Sequence, residues 1–202
     1  MPENAVPRLF KNQFRIKSSR LPCWDYSKEA WYFVTICTKD RVCWFGNIKD
    51  GEMILSKIGK IAKECLQQIP KHFSNTGLDS YVVMPNHIHA IISIYEAEDA
   101  FLCRDVAMLR LYERTKNYQM SKISPKSGSL SAIIRSYKSI VAREAKKTNP
   151  FFSWQSRFYE HIIRNEKSLY EIRYYIKYNP AKWGNDSENP SQARIRKKKG
   201  GK

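Results

Sequence analysis

The sequence lacks the cysteine pattern of a disulfide-linked or zinc-binding protein. There are five cysteines among 202 residues. Because the number is odd and no CxxC pair occurs, a disulfide framework and a thiolate zinc site are both disfavoured. Reduced thiols in a cytoplasmic protein are the simplest interpretation. The five are Cys23, Cys37, Cys43, Cys65 and Cys103.

Long apolar runs are missing as well. No stretch of about 18 apolar residues occurs, the length that a transmembrane helix requires. The first residues, MPENAVPRLFKNQF, lack the apolar core of a signal peptide, so we expect no export. Both absences favour a cytoplasmic location.

Acidic residues are scarce relative to basic ones. The chain has 19 Asp and Glu against 36 Lys and Arg, which gives a net charge of +17. A globular domain this basic usually binds a polyanion, most often nucleic acid. The twelve tyrosines suit stacking on unpaired bases, although most of them also fit a core or surface role. A basic protein that binds no polyanion remains the alternative.

The hydrophobic pattern predicts an α+β fold, in which an antiparallel sheet carries helices on one face. A turn or hairpin is expected over 39–55, and a tight Pro-Asn turn between the second and third strands. Ser56 is a candidate N-cap, and Pro70 is expected to end the first helix. The predicted strands are 31–38, 78–85, 86–94 and part of 154–164, and the predicted helices are 56–69, 129–145 and 166–178.

One domain, residues 30–182, is expected to hold all of these elements. A basic, irregular segment precedes it over 1–29, and a basic, disordered tail follows it over 183–202. Within the domain, residues 95–128 are polar and are predicted to form a long, partly mobile connection, with room for a short helix around 105–116.

Two histidines share one face of the strand predicted over 86–94. Side chains alternate along a strand, so Ile88, Ala90, Ile92 and Ile94 form an apolar core face. His87 and His89 lie on the other face, about 7 Å apart along the strand. Such a pair can hold one metal ion, but two solvated histidines on an open sheet face are an equal alternative.

The last predicted helix supplies a candidate nucleophile and a further ligand. Tyr175 and Asn179 are four residues apart and therefore lie on one helical face. An amide oxygen is a hard ligand that suits Mg²⁺ or Mn²⁺. Tyr137 is the competing tyrosine, but it falls at a core position of its helix, which indicates packing.

These residue types together fit strand transfer on DNA. A divalent metal polarises a phosphodiester and positions the scissile bond. A tyrosine hydroxyl, with a pKa of about 10, needs help to act as a nucleophile. Its attack yields a 5′-phosphotyrosine, which keeps the bond energy for rejoining, whereas a water-based nuclease needs no such tyrosine.

Several segments resemble one known family. MPNHIHAII (84–92), followed by YIKYNP (175–180), is similar to the motifs of the single-tyrosine HUH transposases, and in particular of the tyrosine transposases associated with repetitive extragenic palindromes (REP). The resemblance covers about 21–184. It departs from the family at Ala30, where glycine is usual, and in the length of 95–128.

The resemblance implies a ferredoxin-like HUH nuclease fold and an enzyme that nicks and rejoins single-stranded DNA. It further implies that His87, His89 and Asn179 bind Mg²⁺ or Mn²⁺ and that Tyr175 is the nucleophile. Relatives recognise DNA hairpins, some as monomers and others as homodimers, in element transposition or in REP processing. A replication initiator or relaxase, and a non-catalytic nucleic-acid-binding domain, are the alternatives.

Basic residues near these motifs are candidate DNA contacts. Neutralising several phosphates would make the binding depend steeply on salt. The candidates are Arg15, Lys17, Arg20, Arg135, Lys138, Arg157 and Lys177.

Overall fold

The computed structural model describes residues 24–95 and 125–191, together with two short paired strands, β1 (Leu9–Phe10) and β2 (Gln13–Phe14). The predicted helix around 105–116 and the candidate DNA contacts Arg15, Lys17 and Arg20 lie outside the described residues. The division of the chain into one domain with two flanking segments therefore stays a prediction.

The elements follow the predicted order. A 3-10 turn, Lys39–Arg41, precedes the predicted hairpin of β4 and β5, and a 3-10 segment, Pro180–Asn185, follows the last helix. In chain order the elements are β3 (Ala30–Cys37), β4 (Gly46–Lys49), β5 (Glu52–Leu55), α1 (Lys57–Gln67), α2 (Ile69–His72), β6 (Thr76–Val83), β7 (His87–Ile94), α3 (Leu130–Thr148), β8 (Tyr159–Ile163) and α4 (Glu166–Tyr178).

The first helix begins as predicted but ends differently. Ser56 caps it, because its side chain accepts a hydrogen bond from the Gly59 amide at 3.0 Å. The prediction that Pro70 ends this helix is wrong. Pro70 lies in the first turn of α2, where the absence of its N–H breaks no helical hydrogen bond.

The antiparallel α+β class is confirmed, with four strands in the order β6-β7-β3-β8. The histidine strand β7 lies inside this sheet, between β6 and β3, so both of its edges are hydrogen-bonded. The predicted hairpin of β6 and β7 is present, and its turn is closed by the Met84 amide, which donates to the His87 carbonyl at 2.8 Å. A central strand is a rigid support for side chains.

The core face of the sheet is the one predicted from the alternation of Ile88, Ile92 and Ile94 along β7. Ile88, Ala90 and Ile92 are fully buried there, together with Tyr32 and Val34 of β3. Residues from α1 and α3 complete this cluster, and the two helices contact each other. This burial of apolar area is the main source of stability.

A helix also packs on the opposite face of the sheet, whereas the sequence predicted helices on one face only. The helix α4 covers part of it through a second, smaller apolar cluster that joins Ile91, Ile163 and Ile176. Leu169 and Ile172 of the same helix pack against this cluster. The reason is that Ile91 shares its strand face with the two histidines, so this face needs apolar cover.

The structure describes the first residues of the segment that the sequence analysis assigned to a tail, 183–191. The Asp186 side chain in this segment is only 6% exposed. Residues 192–202 lie outside the described part of the chain. Among the described helices, none has the length and apolar character needed to cross a membrane.

Candidate active site

The two histidines of β7 meet on the second face of the sheet. The Nε2 atoms of His87 and His89 are 3.0 Å apart. His87 is fully buried and His89 is 4% exposed, because α4 and the segment that follows it cover them. The face is therefore not the open surface that the solvated alternative requires, and both imidazoles point their Nε2 atoms at one place.

A buried amide fixes the orientation of His87. Asn86 Nδ2 donates to the carbonyls of Arg41 (3.1 Å) and Glu188 (2.8 Å), which turns Asn86 Oδ1 towards the ring. This oxygen lies 2.8 Å from His87 Nδ1. Because the oxygen is an acceptor, Nδ1 carries the proton and Nε2 keeps its lone pair, as metal-binding histidines require.

Thr35 on the neighbouring strand helps to fix the orientation of His89. Thr35 is paired with His89 in the β3–β7 register, and its Oγ1 lies 2.9 Å from His89 Nδ1. The Phe33 ring stacks on the imidazole, with centroids 5.2 Å apart. Both rings are thus held with the Nδ1 atom engaged and the Nε2 atom pointing inward.

Both histidines are neutral at physiological pH. Burial, reinforced by the positive charge of Arg41, lowers the pKa of His87 to about 3. Burial, followed by repulsion from His87, lowers the pKa of His89 to about 3 as well. Neutral imidazole is the form that coordinates a metal ion.

Asn179 caps the end of α4, one helical turn after Tyr175, and has an unsatisfied oxygen. The residue is 2% exposed, and within the described residues its Oδ1 atom accepts no hydrogen bond. A buried acceptor without a partner costs about 1–3 kcal/mol and calls for an explanation. A cation that binds this oxygen would supply one, so the donor set fits a divalent metal ion.

Asp186 is the residue that the sequence analysis missed. Its Oδ2 atom lies 3.8 Å from His87 Nε2, and the ligand atoms of His87, His89 and Asp186 all lie within 4.8 Å of one another. This cluster can hold a metal ion. A lone aspartate in a polar segment carries no pattern that marks it; the folding of 183–191 onto the site is what brings it there.

Contacts on both sides hold that segment in place. The Glu188 amide donates to Asp186 Oδ1 at 2.7 Å, which fixes the carboxylate. Arg41 Nε pairs with Glu188 Oε2 at 3.1 Å, and Arg41 Nη1 donates to the Ser187 carbonyl at 3.2 Å. The carboxylate therefore lies on a tethered loop and not on a free tail.

Tyr175 reaches the histidines from α4. Its hydroxyl lies 3.2 Å from His89 Nε2, and the residue as a whole is 42% exposed. Burial raises the pKa of the Tyr175 hydroxyl and the charge of Asp186 adds to the effect, whereas a hydrogen bond that the Asn179 amide group donates opposes it. The phenol is therefore neutral at pH 7 unless a cation stabilises the phenolate.

Tyr137 is not placed to react. It is 2% exposed on α3, on the core side of the sheet, and its hydroxyl donates to the Ala62 carbonyl at 3.0 Å. Burial raises its pKa well above the usual value. The predicted packing role of Tyr137 agrees with this position.

A cleft of about 390 Å³ opens beside Tyr175 and His89, and one of the predicted basic residues, Arg157, lines it. Lys138 instead donates to the carbonyls of Gln155 and Arg157, so it supports the wall of the cleft. Arg135 is exposed on α3, a helix of the opposite face.

Comparisons with known proteins identify relatives of this chain. The chain is 38% identical over 171 residues to a Haemophilus influenzae protein described only as uncharacterized, which covers 84% of this chain and 91% of that protein. It is 26% identical over 160 residues to a second protein of that organism, provisionally named a REP-associated tyrosine transposase, over 79% of this chain and 75% of the relative. No family model matches the chain.

A solved structure shares the fold. It is a REP-associated tyrosine transposase bound to a REP hairpin, with a TM-score of 0.53 and 19% sequence identity. The similarity covers 83% of this chain and 74% of that one. At this identity the likeness concerns the fold alone.

Proposed function

We propose that this chain, which belongs to the same family as the Haemophilus influenzae protein that is 38% identical to it, is a REP-associated tyrosine transposase, that is, a metal-dependent endonuclease and strand transferase for single-stranded, hairpin-forming DNA. Its task is DNA transposition or the processing of REP sequences, and Tyr175 is the nucleophile. The basic charge of the chain, +17, suits such a partner.

The proposal depends above all on one observation, the hydroxyl of Tyr175 at 3.2 Å from His89 Nε2. Of the tyrosines on α4, this one points towards the two imidazoles, whereas Tyr174 and Tyr178 pack on each other with centroids 4.4 Å apart. A nucleophile next to converging metal-ligand atoms, and open to a cleft, is the arrangement that phosphoryl transfer requires.

Four residues of this chain would hold the metal: His87 and His89 through Nε2, Asn179 through its unpartnered Oδ1, and Asp186 through a carboxylate oxygen. When bound, Mg²⁺ or Mn²⁺ would polarise the scissile phosphate and favour the phenolate of Tyr175. Asn86 keeps the imidazole of His87 in the ligating tautomer, and Thr35 holds the imidazole of His89 in place.

Tyr175 would then carry the covalent step. Its phenol loses a proton, the phenolate oxygen forms a bond to phosphorus, and the bond from phosphorus to the 3′-oxygen breaks. The departing strand keeps a 3′-hydroxyl, and the other strand stays attached as a 5′-phosphotyrosine. Attack by a second 3′-hydroxyl reverses these bond changes and rejoins DNA with no further energy source.

The test is a cleavage assay on a single-stranded hairpin oligonucleotide with Mg²⁺ or Mn²⁺. We expect a covalent protein–DNA band that disappears with a chelator and with Tyr175→Phe, whereas Tyr174→Phe, one residue away, keeps it. Binding without any cleavage across a panel of hairpin oligonucleotides of different sequence would instead favour a non-catalytic DNA-binding domain.

A further inference from the structure

A row of tyrosines on α4 takes no part in the proposed reaction. Tyr170, Tyr174 and Tyr178 follow one another at intervals of four residues, so they line one face of the helix. They are 71%, 50% and 39% exposed, although large aromatic rings are normally buried. A contiguous exposed row of this kind indicates a binding surface.

The row borders a groove between α4 and β6, the edge strand of the sheet. The groove has a volume of about 750 Å³. A bidentate ion pair spans it, with Arg173 Nε and Nη2 at 2.8 and 2.6 Å from the two carboxylate oxygens of Asp79. This pair joins the helix to the sheet, so the tyrosines stand on a fixed support.

Positive charge accompanies the rings. Lys182 Nζ lies 5.6 Å from the centre of the Tyr174 ring, and Lys177 Nζ lies 5.5 Å from that of Tyr178. The carboxylate of Asp79 is offset by Arg173. Aromatic faces combined with cations are what proteins use to bind single-stranded nucleic acid, because bases stack on the rings while cations attract phosphates.

We propose that this groove, the tyrosine groove, binds the unpaired nucleotides that continue from the strand held at Tyr175. The inference rests on the proposed function for the identity of that strand. Tyr174 lines the groove and its neighbour Tyr175 lines the cleft, so a strand that leaves the cleft reaches the groove by crossing α4. Successive tyrosines are about 6 Å apart along the helix axis. Base faces are accessible for stacking in unpaired strands and covered in a duplex, so the groove selects unpaired nucleotides irrespective of sequence.

The test measures the affinity of the full chain for a short dye-labelled oligothymidine, by fluorescence anisotropy. Tyr174→Ala should weaken binding about tenfold, and Tyr174→Phe, which keeps the ring, should stay within about twofold of the unchanged protein. Phe151→Ala removes an aromatic side chain that is 83% exposed beyond the end of α3, and it should change nothing. Sedimentation of each variant reports the oligomeric state.

Other results would overturn the proposal. One is equal affinity of Tyr174→Ala and the unchanged protein for oligothymidine, even if hairpins are cut. Another is conversion of a dimer to a monomer by Tyr174→Ala, which would assign the row to a second copy of the chain. Failure of the proposed function looks different: no hairpin is cut, while the loss of oligothymidine binding in Tyr174→Ala persists.

Discussion

The two faces of β7 are equally buried but serve different ends. All eight residues of the strand are buried, yet one face holds apolar side chains and the other holds His87, His89, Ile91 and Ser93. On the core face, burial removes apolar area from water and stabilises the fold. On the histidine face, burial keeps two imidazoles neutral and orients them. Variants of each face should therefore change different measurements.

The largest effect is expected on the histidine face. His89→Gln should lower hairpin cleavage at least a thousandfold, about 4 kcal/mol in transition-state stabilisation, because the metal loses a ligand beside the nucleophile. It should also abolish the stabilisation of the fold by Mn²⁺, which is measured as a rise in Tm. This stabilisation amounts to about 2.7 kcal/mol when the Mn²⁺ concentration is a hundredfold over its Kd. His161→Gln, outside the site, is the control, and normal cleavage by His89→Gln would refute the assignment.

A substitution on the core face should lower the stability of the protein. Ile92 is fully buried against α1 and α3, so Ile92→Ala should lower the free energy of unfolding by about 2–5 kcal/mol in urea denaturation. The increase in Tm with Mn²⁺ should remain, because the metal ligands lie on the other face. If Ile92→Ala also abolished the metal effect while the protein stayed folded, the separation of the two faces would be wrong.

Substitutions at Asn179 test whether its unpaired side-chain oxygen binds the metal. Asn179→Ala should weaken Mn²⁺ binding about 10- to 100-fold in calorimetry, whereas Asn179→Asp should retain it because a carboxylate oxygen replaces the amide oxygen. The matched control is Asn149→Ala, the asparagine that caps the end of α3 on the other side of the sheet, which should leave Mn²⁺ binding unchanged. Equal Mn²⁺ affinity of Asn179→Ala and the unchanged protein would remove Asn179 from the ligand set.

The smallest effect concerns two arginines on opposite sides of the sheet. Arg157→Ala, in the cleft, should weaken hairpin binding and reduce the slope of log affinity against log salt by about one. Arg135→Ala on α3 should alter the slope by less than that. An equal decrease with both variants would indicate diffuse electrostatic binding without a defined path.

Much of this arrangement was predictable from local pattern. Alternation along β7 placed His87 and His89 together, and helical spacing placed Tyr175 and Asn179 on one face of α4. The cover of the histidine face was missed because it depends on Ile91 packing with α4, a tertiary contact that alternation alone does not reveal. Asp186 was missed for a similar reason: its position depends on the hydrogen bonds that Arg41 and Asn86 make to residues 187–188.

The most direct test of Tyr175 as the nucleophile is to locate the covalent bond between protein and DNA. A hairpin oligonucleotide is incubated with the protein and Mn²⁺, the adduct is digested with trypsin and nuclease, and the modified peptide is sequenced by mass spectrometry. Cleavage after Arg173 and Lys177 gives a peptide that contains both Tyr174 and Tyr175, so fragment ions must separate the two. We predict a nucleotide on Tyr175. A nucleotide on Tyr174 or Tyr137, or the absence of any modified tyrosine, would contradict the role of Tyr175 as the nucleophile.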